Sequence, residues 1–431
     1  MDTKGASARR SEARVIDPEI ISDDPARREF MSTMVRCGVA LPAVYGLLDS
    51  SNAAAASTGT APAVQHGPRV ARLFSDPRVE LIRLLREAAE VEHALMLQYL
   101  YCAFSIRPQY GALVGSGAPT SDNLVGVAVQ EMQHLGAVNR LLMTLGAAPN
   151  LTAMEFPHEP EIYPFEFKLE PMSLKSLAKY IYAEAPIGFF EGKRSAEDEA
   201  FANAVIAVIG PKRRPNYVGS LYATVIDLVQ EYAKQPGSPK MDSWVAKLEQ
   251  IKEEGEVDHF KFFKSIFLAT HPAFAADRNV WEKPVSHSAY PSFGIAESPT
   301  AYVGHENQIV HPIALGIAWT SNLHYWLALM LTDHYYRYND ATARGLSLGH
   351  MMGPVFTLGR HLPTHGYGVP FDPVNFGSAP AVNETDSRRM IAAIAKEIVI
   401  AAKRVGSGMP AGYSLAITEA VIGLYDGPAR S

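Results

Sequence analysis

The sequence predicts an all-α protein: a four-helix bundle with long irregular loops and additional helices toward the C-terminus. Three observations predict it. From Pro77 onward, apolar residues recur every three or four positions, the period of an amphipathic helix. No convincing run of strict alternation marks a strand. Four of the predicted helices carry a glutamate inside the apolar stripe, where a lone carboxylate is costly unless it is paired or bound to a cation.

The chain of 431 residues has room for one large domain or two ordinary ones. We divide it into an N-terminal segment (1–56), a bundle (75–270) and a loop-rich helical extension packed on the bundle (271–431). The N-terminal segment is polar and charged up to Arg27-Arg28-Glu29-Phe30-Met31. An apolar stretch follows from Val35 to Leu48, then small residues at Ala53-Ala54-Ala55-Ala56-Ser57. A charged region, an apolar region and an Ala-x-Ala site make an export signal. The paired arginines resemble the twin-arginine class, which implies a periplasmic or exported protein.

The first strong helix spans 78–106, with Leu81, Leu84, Ala88, Leu95 and Tyr99 on one face. The second spans 121–146 and closes at Gly146. A proline- and aromatic-rich connection covers 147–172, and a third helix starts near Ser173 and runs toward 190. Helices are expected at 195–209, 217–234 and 241–269, with a break at 210–216. The stretch 271–306 contains four prolines and reads as a functional cover that could roof a pocket or as a packed Ω-type segment. Helices resume at 308–338 and 388–405, separated in part by a Gly/Pro/His loop at 359–384.

Composition excludes several classes of function. Apolar residues make up 47% and charged residues 19%, enough to bury a large core. The net charge of -6, without a long basic run, argues against nucleic-acid binding. No apolar stretch reaches the roughly 18 residues of a membrane span. Two cysteines, Cys37 and Cys102, make neither a disulfide scaffold nor a four-thiolate zinc site.

The chemistry lies in Glu-x-x-His, because residues i and i+3 share a helix face and can chelate one ion. The pattern occurs at Glu90/His93, Glu131/His134, Glu155/His158 and Glu256/His259. Glu131 falls in the stripe Leu124, Ala128, Leu135, Val138, Leu142; Glu256 and His259 fall with Phe263 and Ile266. Glu92 and Glu184 occupy the buried stripes of the first and third helices. One Glu from each of two helices and one Glu-x-x-His from each of two others is the ligand set of a di-iron or di-manganese carboxylate bundle. The order Glu92, Glu131/His134, Glu184, Glu256/His259 is that of the ferritin-like fold.

Glu90/His93 reads as a surface pair and Glu155/His158 as a solvated loop. Glu253 or Glu254 could stand in for Glu256, and Glu191 for Glu184. The bland reading of the whole set is a bundle with polar core pairs. Gly345-Leu346-Ser347-Leu348-Gly349 matches a nucleophile elbow, but polar Asn339-Asp340 precedes it where a strand is required.

Several stretches resemble the bacterial ferritin-like domain of the iminophenyl-pyruvate dimer synthase type. They are Glu92-His93 with the helix ending Phe104-Ser105-Ile106, and Glu131-Met132-Gln133-His134-Leu135. They also include Tyr182-Ala183-Glu184-Ala185-Pro186 and Glu253-Glu254-Gly255-Glu256 with His259-Phe260. The resemblance covers roughly 75–270. It implies a metal-binding fold and action on amino-acid-derived imines.

The leading expectation is therefore a periplasmic oxidoreductase. Glu92, Glu131, His134, Glu184, Glu256 and His259 would hold two iron (or manganese) ions that activate dioxygen or peroxide toward a small organic substrate. Tyr99 and Tyr101 are core aromatics or hydrogen-bond partners of the site. The rival expectations are iron oxidation without an organic substrate and a non-catalytic binding module.

Overall fold

The computed structural model describes residues 69–115, 117–153, 165–210, 217–373 and 381–427. The export-signal reading of 1–56 and the Glu155/His158 pair lie outside the described residues.

Helix α1 (Pro77–Ser105) starts where Asp76 accepts from the Val79 amide and Pro77 presets the first turn. It packs along α2 (Leu124–Thr144), capped by Asn123. Helix α3 (Leu174–Glu184) opens on a reciprocal Ser173/Ser176 capping box. It ends at Glu184, short of the expected 190. Pro186 holds Ala185 extended (ψ 143°) and so stops the helix. The short α4 (Ala196–Ile209), capped by Ser195, follows, and then α5 (Val218–Ala233).

The predicted helix at 241–269 divides into α6 (Asp242–Glu253), a π-helical turn (Glu254–His259) and α7 (Phe260–Phe267). Helix α3 packs on α7, and α5 packs on α6 and α1. The third position of the bundle is thus shared by α3 and α5, with 185–217 inserted between them.

The extension centres on α8 (Pro312–Tyr338), packed against α9 (Ala341–His350) and α11 (Glu384–Val405). A π turn (Met351–Val355) leads into α10 (Phe356–His361) and a 3-10 turn (Leu362–His365), and α12 (Ala416–Tyr425) rests on α11. The polar stretch near 340 is thus a helix cap, and α9, α10 and α12 are additions to the expected elements. Ser347 is buried inside α9 and donates to the Ala328 carbonyl (2.8 Å), so the elbow-like motif is helical packing. Among the described residues, β pairing is confined to the isolated bridges Ile106/Ser292 and Thr300/Gln308. No described helix is long and apolar enough to cross a membrane.

Helix α10 docks on the C-terminal end of α1. The Phe104 ring lies 5.8 Å from Phe356 and 6.5 Å from Phe371. A Cβ on Gly359 would stand 2.4 Å from that ring, so only glycine permits the approach. Arg360 donates to the carbonyls of Ala103 (2.9 Å), Phe104 (3.1 Å) and Ile106 (2.7 Å). The Ala103 carbonyl also accepts from the Ile106 amide (3.3 Å), and the arginine adds a donor at a helix end, where carbonyls run short of partners. The 271–306 stretch is pinned to the same end of α1: the Phe293 amide donates to Ser105 (2.8 Å) and the Arg107 amide to Pro291 (2.9 Å).

Candidate metal centre

Helices α1, α2, α3, α5 and α6, with the π turn, enclose a cavity inside the bundle. Glu92 from α1, Glu131 and His134 from α2, Glu184 from α3 and His259 from the π turn converge there, each almost fully buried. Two groups of possible metal ligands result: Glu92, Glu131 and His134, and Glu131, Glu184 and His259. Glu131 belongs to both. Its Oε2 lies 3.0 Å from His134 Nδ1 and its Oε1 3.0 Å from His259 Nδ1. Glu92 Oε2 stands 3.4 Å from His134 Nδ1, and Glu184 Oε1 3.7 Å from His259 Nδ1.

Both imidazoles therefore turn Nδ1 inward. Their outer nitrogens are held by polar neighbours: His134 Nε2 by Glu254 Oε2 (2.8 Å) and His259 Nε2 by Gln130 Oε1 (3.2 Å). Outer partners of this kind fix the ring and tautomer of a metal-binding histidine. Two tyrosines steady the carboxylates. Tyr99 donates to Glu184 Oε1 (2.5 Å), and Tyr222 donates to Glu92 Oε1. Tyr101 instead donates to the Ala296 carbonyl, away from the site.

The residues fit a pair of cations. Glu92 Oε2 and Glu256 Oε1 are buried without a hydrogen-bond partner, and Glu131 Oε1 and His259 Nδ1 face each other without an aligned hydrogen bond. Such orphaned groups are expensive unless an ion or water meets them. The electrostatics agree. Burial and the Glu131 charge push Glu92 up to about 8. Burial would pull His259 down, but Glu131 and Glu184 outweigh it and lift the imidazole to about 10. His134 is raised in the same way: burial is outweighed by Glu131, Glu254 and Glu92. Protons on these groups offset the negative charge that metal ions would offset when bound.

Glu256 lines the cavity but belongs to neither ligand group. Its Oε2 accepts from Lys252 (2.6 Å), and its free Oε1 lies against Gly219, where a Cβ would sit 2.1 Å away. Three further glutamates that the sequence offers as ligands stay out of both groups. Glu253 is exposed at the end of α6, and the π turn that follows rotates Glu256 and His259 off its face. Glu254 holds His134 from outside. Glu191 is exposed and accepts from Tyr217 (2.6 Å). The Glu90/His93 surface pair is corrected: His93 is wholly buried and meets the Tyr325 hydroxyl (2.8 Å), while Glu90 accepts from Asn150 (2.9 Å). The expected roof is corrected too, since no described residue of 271–431 lines this cavity.

Sequence reasoning missed Tyr222, Gln130, Gly219 and Gly255. Tyr222 sits in a helix so apolar that a tyrosine reads as core. A Cβ on Gly255 would lie 2.8 Å from Glu184 Oε2, and the only signal was a glycine among glutamates.

Comparison with known proteins agrees with this geometry. Residues 85–272 match the family model described as Ferritin-like. This chain carries a ferritin-like domain. It is 35% identical over 135 residues to dichlorochromopyrrolate synthase of Lentzea aerocolonigenes, covering 26% of this chain and 13% of that protein. It is 33% identical over 137 residues to 2-imino-3-(indol-3-yl)propanoate dimerase of Chromobacterium violaceum, covering 26% of this chain and 14% of that protein. The chain thus spans a small part of the curated relatives it matches. No solved structure matches significantly. The ferritin-like domain is all helical among its described residues, and its relatives are named for work on small molecules.

Proposed function

We propose that the ferritin-like domain is the di-metal centre of an oxidoreductase acting on a small organic substrate, such as an amino-acid-derived imine. The observation that carries this reading is the pair of Glu/Glu/His groups joined through Glu131. Glu92, Glu131 and His134 would hold one ion and Glu131, Glu184 and His259 the other. Glu256 would complete the set on leaving Lys252. Two iron ions suit the carboxylate-rich, imidazole-completed set, with manganese the alternative; when bound, they supply redox chemistry toward dioxygen or peroxide. The relatives' names support an imine or a related indole-derived compound as the substrate class.

The protein's own groups do the positioning. Tyr99 and Tyr222 fix the carboxylates of Glu184 and Glu92 by donating to one oxygen of each, while Glu254 and Gln130 hold the two rings with Nδ1 inward. Leu95, Val218 and Ile251 give the cavity an apolar wall that limits water. Among the described residues, Lys252 is the one lysine or arginine in the cavity wall, and it is placed to meet an anionic substrate group.

A second reading is iron oxidation without an organic substrate. It is favoured because no described residue of the extension lines the cavity. Metal analysis of protein purified without added metal, followed by oxygen consumption with candidate imines, separates the readings. About two irons per chain and substrate-dependent oxygen uptake support the oxidoreductase. Oxygen uptake driven by Fe(II) alone supports iron oxidation. No metal, and none taken up anaerobically, overturns both.

A further inference from the structure

A second group of histidines lies on the extension, apart from the bundle cavity. His361 ends α10 and His365 ends the 3-10 turn after it, four residues on. Their Nε2 atoms are 3.3 Å apart. Two imidazole nitrogens bound to one ion at about 2.0–2.1 Å in tetrahedral geometry are separated by nearly that distance. Both rings are half-exposed, so an ion reaches them without a desolvated path. A third imidazole comes from a different element: the ring of His311, at the start of α8, is centred 5.2 Å from that of His365.

We propose that His361 and His365 form a second, surface metal site, a chelate for a borderline divalent ion such as Zn2+ or Cu2+, with His311 beside it. The donor set is all imidazole, which suits these ions rather than Mg2+ or Ca2+. No ion pair ties either ring to a carboxylate among the described residues. Burial, with His361 and His311 alongside, lowers the His365 pKa, which keeps that ring in the neutral, ligating form. His311 Nδ1 accepts from the Ala314 amide (3.3 Å) and caps α8. Direct ligation by His311 Nε2 would take up the opposite tautomer and release that cap, so the pair is the core of the site and His311 its flank.

The placement gives the site a consequence. Arg360 precedes His361 and holds the last carbonyls of α1. An ion gripping residues 361 and 365 fixes the turn that carries this arginine and so stiffens the dock between extension and bundle.

The test uses the full chain stripped of metal, titrated with Zn2+ against a chromogenic chelator, beside the variants His361→Ala and His365→Gln. All three keep the bundle residues intact, so the difference between them reports this site alone. The parent is expected to take up one more Zn2+ per chain, with affinity at least about tenfold above that of either variant. Zn2+ is also expected to raise the melting temperature of the parent more than that of the variants. With Cu2+ in place of Zn2+, electron paramagnetic resonance should show coupling to two or more imidazole nitrogens that each variant reduces. Equal uptake, equal thermal response and identical copper spectra in folded parent and variants would overturn the proposal.

Discussion

Glu131 is the side chain on which the centre turns, because its two oxygens face two different imidazoles at 3.0 Å. Removing it should cost both ions rather than one. Glu131→Ala is expected to retain helical content yet bind less than about a tenth of the parent's iron, whereas Glu191→Ala, outside the cavity, should bind as the parent does; elemental analysis beside circular dichroism decides it. Glu254 acts through His134. Glu254→Gln keeps an acceptor for His134 Nε2 but removes the charge, so metal affinity should fall by about tenfold, read by calorimetric titration. At this scale the sequence was informative about which glutamates are buried, because a carboxylate in an apolar stripe stands out. It was silent about Tyr222, because a phenol in an apolar helix has the same periodic signature whether its hydroxyl meets a carboxylate or a carbonyl.

Among the elements, the π turn decides the most. It sends Glu254 to the back of His134 and His259 into the cavity while Glu253, at the end of α6, stays in solvent, an outcome that i,i+4 counting cannot produce. The facing glycine of α5 makes room for Glu256. Gly219→Ala places a methyl 2.1 Å from Glu256 Oε1, so the carboxylate must move. The protein should stay folded, and uptake of the second ion should weaken severalfold in a two-site titration. The dock between α10 and α1 is an element-scale feature as well. Arg360→Ala removes a side-chain donor shared by the carbonyls of Ala103, Phe104 and Ile106 at the C-terminal end of α1, and a loss of about 2 kcal/mol in urea unfolding is expected, partly restored by Arg360→Lys. The helices themselves were legible because capping residues and periodicity agree at Asp76, Asn123, Ser173 and Ser195. The early end of α3 was legible in principle at Ala185-Pro186, but the apolar residues that continue to Phe190 masked it.

For the whole molecule, bundle and extension are joined by groups that favour neutral pH. His93 of α1 meets the Tyr325 hydroxyl of α8, and burial pushes its imidazole down to about 4. The unfolded imidazole titrates near about 6.5, so below that pH the unfolded chain binds the extra proton. Stability is therefore flat above about pH 6.5 with respect to this group and falls as the pH drops toward 4, by about 3 kcal/mol in all. His93→Gln should lose correspondingly less over the same window in urea melts taken at stepped pH. Burial also lowers His324 and His350 in the extension, and these deepen acid sensitivity in the same sense.

By itself the sequence determined that this protein is helical, where its principal helices lie, and that Glu92, Glu131, His134, Glu184 and His259 lie on buried faces. Those properties follow from local periodicity and from the cost of burying charge, and both can be read along one chain. The tertiary structure alone decided that Glu131 faces both imidazoles and that Glu256 leans on Lys252. It also decided that α3 and α5 share one position of the bundle, and that the extension docks on the end of α1 rather than over the cavity. These depend on distances between elements remote in sequence, and a residue's own neighbours carry no information about such distances.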